Sequence, residues 1–223
     1  MPILGWQLRT LVACGIERIT VVTGFEADSV QAAVRAMGFD AEVECLVNPF
    51  FSIADNIGSC WAARDRFGED TLLLNGDTLI APEVPTRLLE RARPGITVSV
   101  DRKPSYDADD MKVIERAGRL QRIGKTLEGP VDGESIGLLR MQGDGGARFV
   151  GMLEKMLQDP SSLRLWYLSA IDGLAGVGEG VGVASMEGLP WCEVDFPRDL
   201  PVAEERVAAF RWPDDQGWHA GAL

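Results

Sequence analysis

Thr71-Leu72-Leu73-Leu74-Asn75-Gly76-Asp77 carries an apolar strand straight into a glycine and a carboxylate. Glycine permits a sharp turn where a side chain would resist one. Open α/β sheets bind ligands at the C-terminal ends of their strands, which is where this stretch leaves Asp77. Asp77 reads equally as a cap for the next helix or turn.

Upstream, Ile19 to Thr23 is a β-branched run between two helical segments, and Val43 to Val47 is a second such run. Short apolar runs flanked by helices read as buried parallel strands. The intervening helix, Asp28 to Met37, is closed by Gly38, and an earlier one runs from Trp6 to a glycine stop at Gly15. A further helix covers Ile57 to Arg66. Beyond Asp77, Glu83 to Arg91 is helical and Ile96 to Val100 is a strand.

The middle of the chain changes character. Met111 to Glu115, Leu120 to Lys125 and Ser135 to Met141 read as strands joined by turns such as Ala117-Gly118-Arg119. Meanders of this kind are antiparallel as a rule. Helices at Ala147 to Gln158 and Leu163 to Leu174, a strand at Val181 to Met186 and a helix at Leu200 to Phe210 follow. The expected fold class is α/β, a mixed and mainly parallel sheet flanked by helices. No repeat or linker divides it, so residues 1–210 form a single domain and 211–223 a loose tail.

The 223 residues carry 22 Lys plus Arg against 34 Asp plus Glu, a formal net charge of −12. Such a surface repels nucleic-acid backbones, although a local basic pocket still admits a small phosphorylated ligand. Cys14, Cys45, Cys60 and Cys192 have neither CxxC nor zinc-like spacing and read as reduced thiols of a cytoplasmic protein. No apolar run approaches the roughly 18 residues of a membrane span, and no signal peptide is evident. The single histidine, His219, lies in the tail, which disfavours chemistry built on a histidine base.

Three further groups are candidates for chemistry. In Glu193-Val194-Asp195, alternation puts both carboxylates on one side of a strand; Asp195 reads equally as a helix cap. Two carboxylates meeting at a sheet edge suit Mg²⁺, which prefers oxygen ligands and keeps water and substrate phosphates in its shell. Lys112 and Lys125, both in the meander, are solvated surface charges or, if inward, neutralise a substrate phosphate. Asn56, in Asn56-Ile57-Gly58-Ser59, is a helix N-cap or a ligand contact. Glu134, Trp166, Tyr167 and Trp191 complete the set, with core packing the default for the aromatics.

In order and spacing these pieces resemble the nucleotidyltransferase family that builds activated sugars and alcohols. The nearest branch is the bacterial cytidylyltransferases acting on phosphocholine and related small phosphates or phosphonates. The resemblance spans residues 2 to about 205. It rests on Pro2-Ile3-Leu4-Gly5-Trp6-Gln7-Leu8, Gly15-Ile16, Val21-Val22-Thr23-Gly24, Asn48-Pro49, Asn56 with Ser59, and Leu74-Asn75-Gly76-Asp77. It continues through Met111-Lys112-Val113, Ile123-Gly124-Lys125, Asp132-Gly133-Glu134, Ile136-Gly137, Leu189-Pro190-Trp191 and Glu193-Val194-Asp195.

The resemblance implies a Rossmann-like nucleotide-diphospho-sugar transferase fold. It implies that Asp77 and Asp195 hold a catalytic Mg²⁺ and that Lys112 and Lys125 lie near the acceptor phosphate. Asn56, Ser59, Glu134, Tyr167 and Trp191 then line the acceptor side. The implied reaction moves a nucleoside monophosphate, CMP from CTP, to a small phosphorylated acceptor such as phosphocholine, an aminoalkylphosphonate or a sugar 1-phosphate, releasing pyrophosphate. The acceptor is already anionic, so no histidine base is needed.

The partners so implied are a nucleoside triphosphate and a small phosphorylated acceptor, with no nucleic acid and no membrane; homo-oligomerisation stays open. Members of the family begin with a strand and a Gly-rich loop bearing Arg and Lys, whereas this sequence opens at Met1-Pro2-Ile3-Leu4, beyond that stretch. A second departure is Trp166-Tyr167-Leu168-Ser169-Ala170, where relatives place an acidic residue after the aromatics. The expectation is therefore an N-terminally truncated chain: an active enzyme with a different start, an inactive binding or assembly protein of the same fold, or a domain completed by a strand from elsewhere. A glycosyltransferase of similar architecture ranks lower, because Asn75 stands where an Asp-x-Asp pair would need an aspartate.

Overall fold

The structure is a computed structural model that describes residues 1–212; His219 and the rest of the expected tail from residue 213 lie outside the described residues. Helix α1 (Ile3–Ala13) leads into β1 (Arg18–Thr23), α2 (Ala27–Met37) and β2 (Glu42–Val47). Strands β1 and β2 pair in parallel, with Ile19 opposite Val43 and Val22 opposite Leu46. Helix α3 (Asn56–Ala62) and a 3-10 turn at Arg64–Arg66 precede β3 (Asp70–Leu74), followed by β4 (Thr78–Ile80), α4 (Glu83–Arg91) and β5 (Gly95–Asp101).

The meander is β6 (Lys112–Arg116), β7 (Arg119–Gly124) and β8 (Gly133–Gln142). Helices α5 (Gly145–Met156) and α6 (Leu168–Gly176), strands β9 (Gly182–Ser185) and β10 (Trp191–Glu193), and helix α7 (Leu200–Ala208) complete the described chain. The main sheet has the order β3-β8-β5-β9-β7-β6, and β6 returns to pair with β8, so that five strands close into a ring. Strands β4 and β10 form a separate antiparallel pair.

The α/β architecture with a central mixed sheet flanked by helices is as expected. Its parallel share is smaller than strand–helix alternation suggests: β1–β2 and β5–β9 are parallel and the other pairings antiparallel. The cause is β8, which inserts antiparallel between β3 and β5. Its 10 residues give it the reach to pair with β3, β5 and β6 together.

Period-2 alternation divides the core between the two faces of this sheet. Ile96, Val98, Val100, Leu139 and Met141 face Phe149 and Leu153 of α5 and Ile171 and Leu174 of α6. Ile136 and Leu138 point the other way, onto Ile80, Val84, Leu88 and Met186. Strand β3 follows the same rule, with Leu73 on the first cluster and Leu72 and Leu74 on the second. Each fully buried aliphatic or aromatic side chain contributes about 1.5–3 kcal/mol.

Five local expectations change. The helix expected over Leu163 to Leu174 is broken: a 3-10 turn spans Pro160–Arg164, and α6 starts at Leu168. The break follows from the Asn56 side-chain oxygen, which accepts the Tyr167 backbone N–H at 2.8 Å. Asp77 leads not into a helix but into β4, whose three residues are too few to show a pattern in sequence. The strand expected to carry both Glu193 and Asp195 stops at Glu193. Asp195 does not cap the following turn either; its N–H donates to the Asp199 carboxylate at 3.1 Å. Trp212, placed in the tail, stacks on Trp6 with ring centroids 5.8 Å apart.

Gly137 of β8 backs the turn after β3. It sits at φ 72°, and a β-carbon there would meet the Asn75 amide at 2.7 Å and the Thr78 hydroxyl at 2.8 Å. Gly137→Ala therefore meets both an unfavourable backbone region and a crowded turn. The expected loss is about 1–3 kcal/mol of unfolding free energy, read by urea denaturation; an unchanged midpoint would show that the turn yields freely.

Candidate active site

The site is built on the turn Asn75-Gly76-Asp77 between β3 and β4. Gln7 of α1 donates through Nε2 to the carbonyls of Asn75 and Thr78, both at 2.8 Å. The buried Tyr167 hydroxyl donates to Asn75 Oδ1 at 3.0 Å. Asn75 N–H donates to the Gly137 carbonyl at 2.8 Å. The turn is thus held from α1, α6 and β8 at once, and Asp77 follows from it as a fixed group rather than a loop side chain.

Across the short β4–β10 ladder, Glu193 is the register partner of Thr78, and Val194 N–H donates to the Asp77 carbonyl at 3.0 Å. This pairing delivers Asp195 to the neighbourhood of Asp77 from 118 positions further along the chain. Burial raises the proton affinity of Asp77, and the charge of Asp195 adds to the rise; the Thr78 hydroxyl and Lys125 act against it. Glu193 is pushed up to about 7, first by lost hydration and then by Asp77, Asp195, Glu134 and Asp110. These carboxylates therefore repel one another within one electrostatic neighbourhood, the condition that a cation relieves.

Beside them lies a second cluster. Glu134, 5% exposed, meets Lys103 Nζ at 2.8 Å, and the same ammonium meets Asp110 at 2.9 Å. Burial, together with the charge and shared hydrogen bond of Asp110, outweighs Lys103 and raises Glu134 to about 7. Asp110, although partly buried, is held low by hydrogen bonds from Lys103 and the Asp107 N–H. Near neutral pH, Glu134 therefore gains or loses its proton while Asp110 stays ionised beside the same ammonium.

The other sequence candidates take distinct positions. Lys125 acts electrostatically on Asp77, and its ammonium lies 4.6 Å from the centre of the Trp166 ring. Lys112 donates to the carbonyl of Lys125 at 2.8 Å, which fixes the segment bearing Lys125. Asn56 is not the cap of α3: Asp55 takes that place, and Asn56 instead ties α3 to Tyr167. Ser59 accepts a hydrogen bond from the Asn48 amide at 3.3 Å. Trp191 donates through Nε1 to Asp101 at 2.8 Å.

A cavity of 260 Å³ opens beside Lys125 and Trp166, also lined by Met111, Arg122 and Leu165. A larger hollow of 510 Å³, between α4 and Trp212, contains none of Asp77, Glu193 or Asp195. Sequence reading missed Gln7 as a support of the turn, and Lys103 as the cation of the Glu134 cluster. Gln7 sits on a helix with no local signal; Lys103 lies in an aperiodic loop. Among the described residues no group of three or more His, Cys, Asp and Glu side chains forms a metal site on its own. Two hard oxygen donors nonetheless suit Mg²⁺, which completes its shell with water and phosphate oxygens.

No protein-family model matches the chain. Over 216 residues, 93% of this chain, it is 27% identical to CMP-5'-(3-aminopropyl)phosphonate synthase of Streptomyces rubellomurinus, of which it spans 34%. Over 221 residues, 97% of this chain, it is 29% identical to a bifunctional IPC transferase and DIPP synthase of Rubrobacter xylanophilus, of which it spans 48%. The chain thus spans half or less of the length of these curated relatives. The inositol-1-phosphate CTP transferase from T. maritima superposes with a TM-score of 0.77 at 18% identity, over 92% of this chain and 82% of that one. The CTP:phosphocholine cytidylyltransferase from Streptococcus pneumoniae does so at 0.69 and 14%, over 92% and 84%. The fold is that of the nucleotidyltransferases, and the chain's homologues and structural neighbours are nucleotidyltransferases. No described helix is long and apolar enough to cross a membrane.

Glu134 makes stability depend on pH. Its folded proton affinity, about 7, exceeds its ordinary value of 4.5, so its contribution is full below about 4.5 and is lost as pH rises through 7. Between pH 6 and pH 8 the unfolding free energy is expected to fall by ~1 kcal/mol on this account. Glu134→Gln, neutral at every pH, should flatten that slope and gain stability relative to the parent as pH rises above about 4.5, the two converging below it. An identical slope in the variant, measured by denaturant titration at several pH values, would contradict the assignment.

Proposed function

We propose that the chain transfers a cytidylyl group from CTP to a small phosphorylated or phosphonate acceptor, with release of pyrophosphate. The observation that supports the reading is the backbone pairing of Val194 with Asp77 beside the β4–β10 ladder, which brings Asp195, like Lys125, within electrostatic range of Asp77. The relatives' names support the same chemistry: one makes a CMP-phosphonate, and structural neighbours are a CTP transferase and a cytidylyltransferase.

In this reading Asp77 and Asp195 hold Mg²⁺, which when bound supplies charge neutralisation at the α-phosphate. The acceptor's anionic oxygen forms a bond to the α-phosphorus of CTP. The bond from that phosphorus to the bridging oxygen breaks, and pyrophosphate departs with the electron pair. No residue has to remove a proton, in keeping with the absence of histidine from residues 1–212. Lys125 offsets negative charge on the transferring phosphate, and Lys112 keeps Lys125 placed through its carbonyl. Trp166, the 260 Å³ cavity and the Glu134–Lys103–Asp110 cluster form the acceptor side. Gln7, Asn75 and Tyr167 act through Asp77, as positioning residues.

Incubation with CTP, Mg²⁺ and either phosphocholine, 2-aminoethylphosphonate or inositol 1-phosphate tests the reading by pyrophosphate release. Asp77→Asn is expected to lower kcat/KM at least about a hundredfold. Its thermal midpoint should hold or rise, because a desolvated charge is removed. No pyrophosphate with any acceptor, from a chain that is folded, would overturn the reading in favour of a non-catalytic binding protein of this fold.

A further inference from the structure

Strand β10 leads to Asp195, yet it is a poor mount by itself. It has three residues and pairs with the three of β4. Among the described residues no backbone pairing joins this two-stranded sheet to the main one. Two-stranded ribbons are marginal in water unless other elements hold them. Strand β4 is held by α1, through Gln7 to the Thr78 carbonyl and Thr10 to the Ile80 carbonyl. Strand β10 needs anchors of its own.

Trp191, the first residue of β10, supplies them. Its carbonyl accepts from Arg206 of α7 at 2.5 Å. Its indole N–H donates to Asp101 Oδ2, at the end of β5, at 2.8 Å. The other Asp101 oxygen accepts the Arg102 N–H at 2.8 Å, so the carboxylate is itself held. The Trp191 ring packs against the cluster that contains Ile80, Ile136 and Met186. It lines neither the 260 Å³ cavity nor the 510 Å³ hollow, and its one polar side-chain atom is committed to Asp101.

Asp101 is also the register partner of Glu134. One strand end therefore carries the Glu134–Lys103–Asp110 cluster and, through Trp191, the strand that leads to Asp195. From Trp191 to Asp195 is four residues, about 13 Å of extended chain at roughly 3.3 Å each. A tilt of about 5° at Trp191 would move the Asp195 carboxylate by about 1 Å, about twice the error that a ligand set tolerates.

We infer that Asp101 is a positioning residue. By holding the Trp191 indole N–H it fixes the direction of β10, which sets Asp195 against Asp77 and sets both at a fixed separation from the Glu134 cluster. Asp101 and Trp191 act through the backbone of β10 and not by contact with the cation. The inference rests on the proposed reading of Asp77 and Asp195 as a metal pair.

The test is Mn²⁺ binding to the full chain, read from the loss of the free-ion electron paramagnetic resonance signal. Asp77→Ala marks the component due to this site. Trp191→Phe keeps an aromatic ring and deletes the N–H, and Asp101→Ala deletes the acceptor. Each is expected to weaken the site's Mn²⁺ affinity about tenfold, and the double variant hardly further, because the two partners of one bond do not lose additively. Urea midpoints taken alongside report folding. A bond that serves stability alone would lower the midpoint and leave the Mn²⁺ affinity of the folded chain as it was. That result, or losses that multiply in the double variant, would overturn the inference and leave the metal pair standing. Mn²⁺ binding no weaker in Asp77→Ala than in the parent would remove the metal pair, and the inference with it.

Discussion

The grip on Asn75 organises this molecule. A single turn residue receives Gln7 on its carbonyl and Tyr167 on its side-chain oxygen, and gives its own N–H to Gly137. Each partner comes from a different element, so α1, α6 and β8 must all be docked before the turn is complete. Buried polar networks of this kind favour one arrangement because any half-made version leaves groups unsatisfied. Asp77, two residues on, inherits a fixed direction from that arrangement. The Glu193 ladder then brings Asp195 to it.

The electrostatics follow from the same geometry. An acidic chain concentrates several carboxylates at one end of a short ladder, where lost water and mutual repulsion raise Asp77 and Glu193. Lys103 bridges the neighbouring Glu134 and Asp110, and burial beside Asp110 still lifts Glu134 to about 7. Charge crowding of this sort costs folding stability and is expected where a cation or a positively charged substrate group completes the site.

Much of this was legible in sequence. The strand-to-turn reading of Leu74-Asn75-Gly76-Asp77 holds because apolar runs and glycine turns are local features. Helix α4 and strands β1 and β3 follow their periodicity closely. What was hidden is long-range. The insertion of β8 between β3 and β5 reverses the local direction of the sheet and has no signature in either neighbour. The break before α6 depends on Asn56, more than a hundred positions away, and the pairing of β4 with β10 joins two strands too short to read. Lys112 and Lys125, equivalent by composition, separate only when one is seen to bond the other's carbonyl.

The account rests on Asp77 and Asp195 sharing one divalent ion. Crystals grown with Mn²⁺ and CTP would test this through anomalous scattering at the manganese edge. The prediction is one strong peak within coordination distance of both carboxylates, and its loss in Asp77→Ala. A peak bound to only one of them, or Mn²⁺ found only elsewhere on the chain, would contradict it.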